Sequence, residues 1–381
     1  GPLMLTKIAG DDAPPFFMPP WSSRESDDCV PPHPWKDDSR LSVDETALLQ
    51  AWVDGGSLEG DPATAAPIPE WKPEALSGGE IATLPSAGYT LAAGSKTDEY
   101  RCFSLDPGLS GDRWITGLQV QPGNDAVVHH VVLFGDPDGA SAAKAGSEGS
   151  YPCFGGSGVN NSQPLYAWAP GGNPLELPEN VGIPVPSGSR LVMQVHYHPT
   201  GLEEPDATAL RLRWTDVKPA HEAFMAIIGG VSPIQGNSSQ WDDPPFLIPA
   251  GARDHVETWR ETVDIPALID VRIWSVFPHM HRVGVRMDVR VEHQGQSMCL
   301  GDLPHWDFDW QRTYAFDAPY DQLPRVYGGD EVVVRCVYDN SMENPSLAKA
   351  LSEEGIAAPM DTHVGEATFD EMCTAIIGVA Y

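Results

Sequence analysis

From about residue 80 to the C-terminus, apolar and polar positions alternate in short runs: RWITGLQVQ, RLVMQVHYH, ALRLRW, IDVRIWSVF, VRMDVRVEH and DEVVVRCVYD. A period of two predicts strands with one face buried, and the Gly, Pro, Asn and Asp that break these runs predict turns. The pattern therefore predicts a mainly β protein. The length of chain so patterned suits two antiparallel β-sandwich domains, 75–217 and 218–381, joined near TDVKPAHEAF. Residues 1–74 read differently, being Pro-rich (DDAPPFFMPPW, CVPPHPW) with one helical segment, LSVDETALLQAWVDGG. There Ser42 and Glu45 stand at capping-box spacing, Leu48, Leu49, Trp52 and Val53 make an apolar stripe, and Gly55 and Gly56 supply a stop. The expectation is a lead-in whose helix packs against the first β domain.

Charge narrows the function classes. Lys and Arg number 23 against 54 Asp and Glu, a formal net charge of -31 over 381 residues, which repels phosphate backbones and anionic lipid. Nucleic acid is not an expected partner. No run of about 20 apolar residues predicts a membrane-spanning helix, and the opening GPLM reads as the scar of a cleaved tag rather than a signal peptide. The six cysteines, Cys29, Cys102, Cys153, Cys299, Cys336 and Cys373, form no CxxC pair. An even count in an acidic, Gly- and Pro-rich chain points to disulfides and an extracytoplasmic location, periplasmic or secreted; the alternative is six buried thiols in a cytosolic protein.

Half of the twelve histidines fall in three short pairs: His129 and His130 in DAVVHHVVLFG, His196 and His198 in MQVHYHPTG, His279 and His281 in SVFPHMHRVG. On a strand His279 and His281 share a face, so both can point at one ion while Met280 points away. His129 and His130 would face opposite ways unless the strand is irregular there, so ligation by both requires a bulge or a strand end. Imidazole suits Zn, Cu, Fe and Ni, and a thioether favours Cu(I). If Met372 in FDEMC joins His279 and His281, the site leans to copper. His33, His221, His255, His293 and His305 read as structural or surface residues.

These segments, taken in order, resemble a known family. VVHHVVLFG, LYAWAPGG with LPENVGIPV, LVMQVHYH, HMH and HVGEATFDEMC occur in the order found in the copper type II, ascorbate-dependent monooxygenases, and the resemblance runs from about DEYRCFSL to the C-terminus. It implies two jelly-roll-like β domains facing each other across a cleft, and two copper ions per chain. His129, His130 and His196 match the electron-storing, three-histidine site. His279, His281 and Met372 match the catalytic site where O2 and a substrate C–H bond react, with ascorbate or another one-electron donor as co-substrate. Tyr100 and Gln194 match positions near the first copper and His363 one near the second, with hydrogen bonding to ligands as the implied role; His198 either does the same or faces solvent. The resemblance also implies disulfides Cys102–Cys153 and Cys336–Cys373, leaving Cys29 and Cys299 either paired or free.

The chain departs from the family at the substrate end. Peptide-hydroxylating members place an Arg two residues before the HxH motif, and an Asn and a Tyr after the Met-Cys pair, around a terminal carboxylate. Here those positions hold Phe277, Thr374 and Ile376. A bare carboxylate among Phe and Ile is costly to desolvate, so the expected substrate is a small-molecule or peptide-like compound, more apolar or neutral, and not a glycine-extended peptide. Two other classes stand beside the monooxygenase: a copper carrier with the same ligands and no turnover, and a zinc-stabilised sandwich, which the poor zinc affinity of Met disfavours. The N-terminal FFMPPW with AWVDGG weakly resembles the end of a c-type cytochrome, with Met18 as the axial ligand. No CxxCH is present, so this resemblance raises only the expectation of an upstream haem segment serving as electron donor.

Overall fold

The computed structural model describes residues 2–9, 21–67, 74–230, 241–242, 245–308, 310–365, 367 and 369–381. Met18 lies outside them. As the alternation predicts, the protein is mainly β, 42% strand and 11% helix, with almost every strand pair antiparallel. In the first half, a five-stranded sheet runs in the order Ser150–Pro152, Glu99–Leu105, Arg190–Tyr197, Val128–Asp136, Gln163–Trp168. A second, ten-stranded sheet begins with Glu80–Pro85, Ala209–Thr215, Arg113–Gln121 and Val181–Val185. It then crosses into the second half through a short parallel pairing, His221 with Val181 and Glu222 with Gly182. There it continues as His221–Gly230, Cys373–Ala380 and Val271–His279. A four-stranded sheet, His255–Thr262, Glu331–Tyr338, Gly284–His293, Gln296–Leu303, completes the second half. The two halves thus share one sheet, and the change of partners falls at TDVKPAHEAF.

Period two decides what each sheet face carries. On Arg190–Tyr197, Leu191, Met193, Val195 and Tyr197 enter the main core with Ile115, Leu118, Leu133 and Leu212. Val192 joins a smaller cluster with Cys102, Phe134, Ala145 and Tyr151 on the other face, which by alternation also carries Gln194 and His196. That outer face is where the chemistry lies.

All six cysteines are paired: Cys102–Cys153, Cys336–Cys373 and Cys29–Cys299. The last pair corrects the expected position of the lead-in. Residues 21–40 pack chiefly on the second half: Trp35 stacks on Phe316 at 4.9 Å, Trp21 meets Tyr314 edge-on at 5.2 Å, and the Arg24 N–H donates to the Asp302 carbonyl at 2.9 Å, while Lys36 reaches Glu176 of the first half at 3.5 Å. The helix forms over Val43–Asp54 with the Ser42–Glu45 capping box intact, yet it buries none of its residues; Leu48 is 71% exposed. Local capping made the helix, and the indoles and the disulfide placed the segment. Among the described residues no helix is long and apolar enough to cross a membrane.

Candidate metal centres

The first cluster follows from strand register. His196 lies directly opposite His130 on one neighbouring strand and Tyr100 on the other, so all three share the outer face of the five-stranded sheet. Register slips between His196 and Tyr197, whose partners are His130 and Val128, so His129 is the extra, bulged residue. This is the irregularity that joint use of His129 and His130 requires. The three rings gather with centroids 4.6–5.4 Å apart, and one nitrogen from each lies within 4.8 Å of the others. The Nδ1 atoms of His129 and His196 stand 3.1 and 3.2 Å from Nδ1 of His130.

Around this cluster, Tyr100 stacks on His196 at 4.3 Å with planes 5° apart, and Gln194 donates from Nε2 to the Gly156 carbonyl at 2.8 Å, beside the Cys102–Cys153 bridge. Asp98, not singled out from sequence, approaches Nε2 of His196 at 3.1 Å as an ion-pair contact and accepts from Nδ1 of His198 at 2.8 Å. Burial alone would push the Asp98 carboxyl up, but the two imidazoles outweigh it and hold it well below the usual range. In return Asp98 raises His198. His198 is therefore a bonded neighbour of the cluster whose side chain remains 57% exposed.

The second cluster sits at the end of Val271–His279, where His279 opposes Thr374 and Phe277 opposes Ile376. His279 Nδ1 bonds Gln311 Oε1 at 2.7 Å, and His281 Nδ1 bonds the Asp370 carbonyl at 3.0 Å. An acceptor oxygen on each Nδ1 fixes that nitrogen as the N–H and leaves Nε2 with its lone pair. Met372 precedes Cys373, whose disulfide to Cys336 ties its strand to the four-stranded sheet, and Tyr338 donates its hydroxyl to the Met372 carbonyl at 2.9 Å. Glu371, fully buried, accepts from the backbone N–H groups of His281, of Met372 at 2.8 Å and of Val283 at 3.2 Å. Burial raises its carboxyl to about 8 against the pull of those donors.

His363 is a correction. Its side chain is exposed on a two-stranded edge and contributes nothing to the cavity; only its carbonyl takes part, accepting the Glu371 N–H at 2.9 Å. The five histidines read as structural do lie elsewhere among the described residues: His293, for instance, bonds Asp330, and His221 stacks on Tyr320. Glu371 stood beside Met372, but Asp370 and Glu366 precede it in HVGEATFDEMC, so nothing in the sequence marked it out from its acidic neighbours. Gln311, far off in a loop, carried no signal either.

Both clusters line one cavity of about 260 Å³, with Phe277, Ile376, Ile227, Trp168 and Phe308 among its apolar walls. Phe308 lies between them, stacked on His129 at 5.4 Å and edge-on to His281 at 6.2 Å. Burial, with the other histidines' charges adding to it, holds His130 well below 6.5; burial, then His279, takes His281 down to about 3. Neutral imidazoles at ordinary pH are ready-made donors. Three nitrogens within 4.8 Å of one another fit a transition metal, and two further imidazoles that share a cavity with a thioether fit copper better than zinc.

Fold and site together define a mainly β protein in which two histidine clusters suited to metal binding line one cavity. Residues 89–204 match the model of the copper type II ascorbate-dependent monooxygenase N-terminal domain. Peptidyl-glycine alpha-amidating monooxygenase A of Xenopus laevis is 25% identical over 308 residues, 77% of this chain and 28% of that protein. Dopamine beta-hydroxylase of Rattus norvegicus is 25% identical over 244 residues, 60% of this chain and 36% of that one. The chain is thus similar to the copper type II ascorbate-dependent monooxygenases, a family of oxidoreductases, with the family's N-terminal domain matched over residues 89–204. It spans only about a third of the length of these relatives. Among solved structures, the major capsid protein P2 of bacteriophage PM2 aligns at a TM-score of 0.29 and 10% identity, over 79% of this chain and 97% of that one. The comparisons lend no support to a cytochrome donor.

Proposed function

We propose that this chain hydroxylates a C–H bond of an organic substrate, using O2 and an external one-electron reductant such as ascorbate, with two copper ions held in its two clusters. The reading divides the chain at about residue 217 into two copper-binding β domains that share a sheet. The single observation that supports it most is that both donor clusters open onto one small, largely apolar cavity. A carrier needs only one reversible site; two, facing a shared space with room for a small molecule, suit a reaction that draws two electrons.

Copper, when bound, would supply O2 activation and the one-electron steps. The rest is the chain's work. His129, His130 and His196 offer Nδ1 donors for the electron-storing ion. His279 and His281, with Nδ1 occupied by Gln311 and Asp370, offer Nε2, and Met372 adds a soft thioether that favours Cu(I). Phe277, Ile376 and Ile227 wall the cavity beside this catalytic set, keep water out and hold an apolar substrate segment against it. The absence of the Arg, Asn and Tyr anchor argues against a glycine-extended peptide. Three disulfides fit an extracytoplasmic setting.

Metal content per chain after copper loading, measured with ascorbate-driven O2 uptake on wild type, Met372→Ala and His279→Ala, tests this. Two coppers in wild type, with one lost or weakened in each variant together with O2 uptake, is the expected result. One copper or none, unchanged by either substitution, would rule the reading out; two coppers that cycle without product would leave a carrier.

A further inference from the structure

The cavity holds one guanidinium. Arg282 immediately follows His281 and lines the space both clusters share. Its Cζ lies 4.6 Å over the Phe308 ring. Its Nε is buried and has no hydrogen-bond partner, and among the described residues no carboxylate comes within ion-pair distance of it. This is not for want of acids in a chain with 54 of them. Nearby Arg286 and Arg290 pair with Asp302 and Asp288 at 2.9 and 2.8 Å. Asp98, the one carboxylate among the described cavity residues, is engaged with His196 and His198.

A partly desolvated guanidinium with an unsatisfied N–H is unfavourable until something pairs with it. The fork of N–H groups matches a carboxylate in two parallel bonds, and Phe308 beneath fixes the plane of the fork. His281 and Arg282 are neighbours in the chain and both line this cavity, so one small molecule in it can meet both. We propose that Arg282 is the anion anchor of this cavity, holding the carboxylate of a small substrate whose apolar body lies along Phe277, Ile376 and Ile227. This rests on the monooxygenase reading and revises its substrate: the anchor position before the HxH motif is apolar, and the cation comes instead from the residue after it. The substrate class becomes an alkyl or arylalkyl carboxylate.

The test is calorimetric binding of 3-phenylpropanoate and its neutral amide to the full chain, metal-free and copper-loaded, for wild type, Arg282→Gln and Arg282→Lys. Wild type should prefer the carboxylate by about ten- to a hundredfold, the range of a charge-assisted pair. Arg282→Gln should abolish the preference; Arg282→Lys, which keeps the charge without the fork, should retain part of it and carries the test if the Gln variant does not fold. Equal or absent binding of both compounds by wild type, or a preference untouched in the variants, overturns the proposal. O2 uptake measured alongside separates the two ideas: uptake without a carboxylate preference defeats the anchor alone, and a preference without uptake defeats the oxygenase alone.

Discussion

Glu371→Ala is the perturbation with the widest reach for its size. The carboxylate is fully buried, and one of its oxygens, Oε1, accepts from both the His281 and the Met372 N–H groups, while Oε2 accepts from Val283 at 3.2 Å. A single oxygen therefore staples the turn after His279 to the strand that presents Met372. Removing it strands three backbone donors in an apolar interior. Each such orphan costs about 1–3 kcal/mol, and partial relaxation makes the three less than additive, so we expect a loss of about 3–5 kcal/mol in urea unfolding. Glu371→Gln keeps one carbonyl oxygen for the shared pair and turns an NH2 toward Val283, so about 1–2 kcal/mol should go. The second consequence is local. Supporting residues of this kind typically control ten- to a hundredfold in metal affinity, so Cu(I) competition should show weakening at the His279, His281 and Met372 site with the three-histidine site unchanged. A Glu371→Ala protein within about 0.5 kcal/mol of wild type, with both copper affinities intact, would refute the staple.

Two further outcomes follow from the charges around the clusters. Asp98→Asn should lower His198 toward its ordinary value, since the Asp98 hydrogen bond is what raises it, and weaken copper at the three-histidine site about tenfold; an NMR titration of His198 that does not move would count against the Asp98 bridge. Metal-free protein should lose stability as pH falls from about 6.5 toward 3: His281, near 3, with His279, His196 and His130 also depressed, stay neutral in the fold while the unfolded chain takes up protons. The slope is at most about 1.4 kcal/mol per pH unit for each histidine, partly offset by Glu371, whose carboxyl, raised to about 8, destabilises the fold as pH rises toward 8; with four histidines against one carboxyl the net is a loss toward acid, and urea midpoints that do not change between pH 7 and pH 5 would contradict it.

The strands and the histidine pairs were legible because both depend on period two. Alternation in RLVMQVHYH assigns Gln194 and His196 to one face whatever the rest of the chain does, and the same rule required a bulge or strand end at His129 if it and His130 were to act together; register shows a bulge there. The helix over Val43–Asp54 was legible for an equally local reason, its capping box. Its placement was not. An apolar stripe of Leu48, Leu49, Trp52 and Val53 reads as a buried face, yet it remains unburied, because the position of the lead-in is decided by Trp21, Trp35 and the Cys29–Cys299 bridge to a strand 270 residues away. His363 failed for a related reason: motif order placed it near the second cluster, but side-chain direction on a two-residue edge strand turned it to solvent.

What sequence could not reach were contacts made across the cleft. Phe308, Gln311 and Arg282 come from the second half, and Phe308 ends against His129 of the first. Gln311 donates from Nε2 to the Phe308 carbonyl at 3.0 Å and bonds Nδ1 of His279 through Oε1. One short loop therefore orients a donor of the second cluster and sets a ring against the first. Any shift that lifts Phe308 from His129 also pulls on the Gln311 bond that holds the His279 tautomer, so cleft geometry and the donor orientation of the second cluster are coupled through three residues. Arg282 lies over the same ring, its Cζ 4.6 Å from the centroid, so the proposed carboxylate would bind beside a side chain that touches both clusters, and its binding is expected to be felt at His129 as well as at His279.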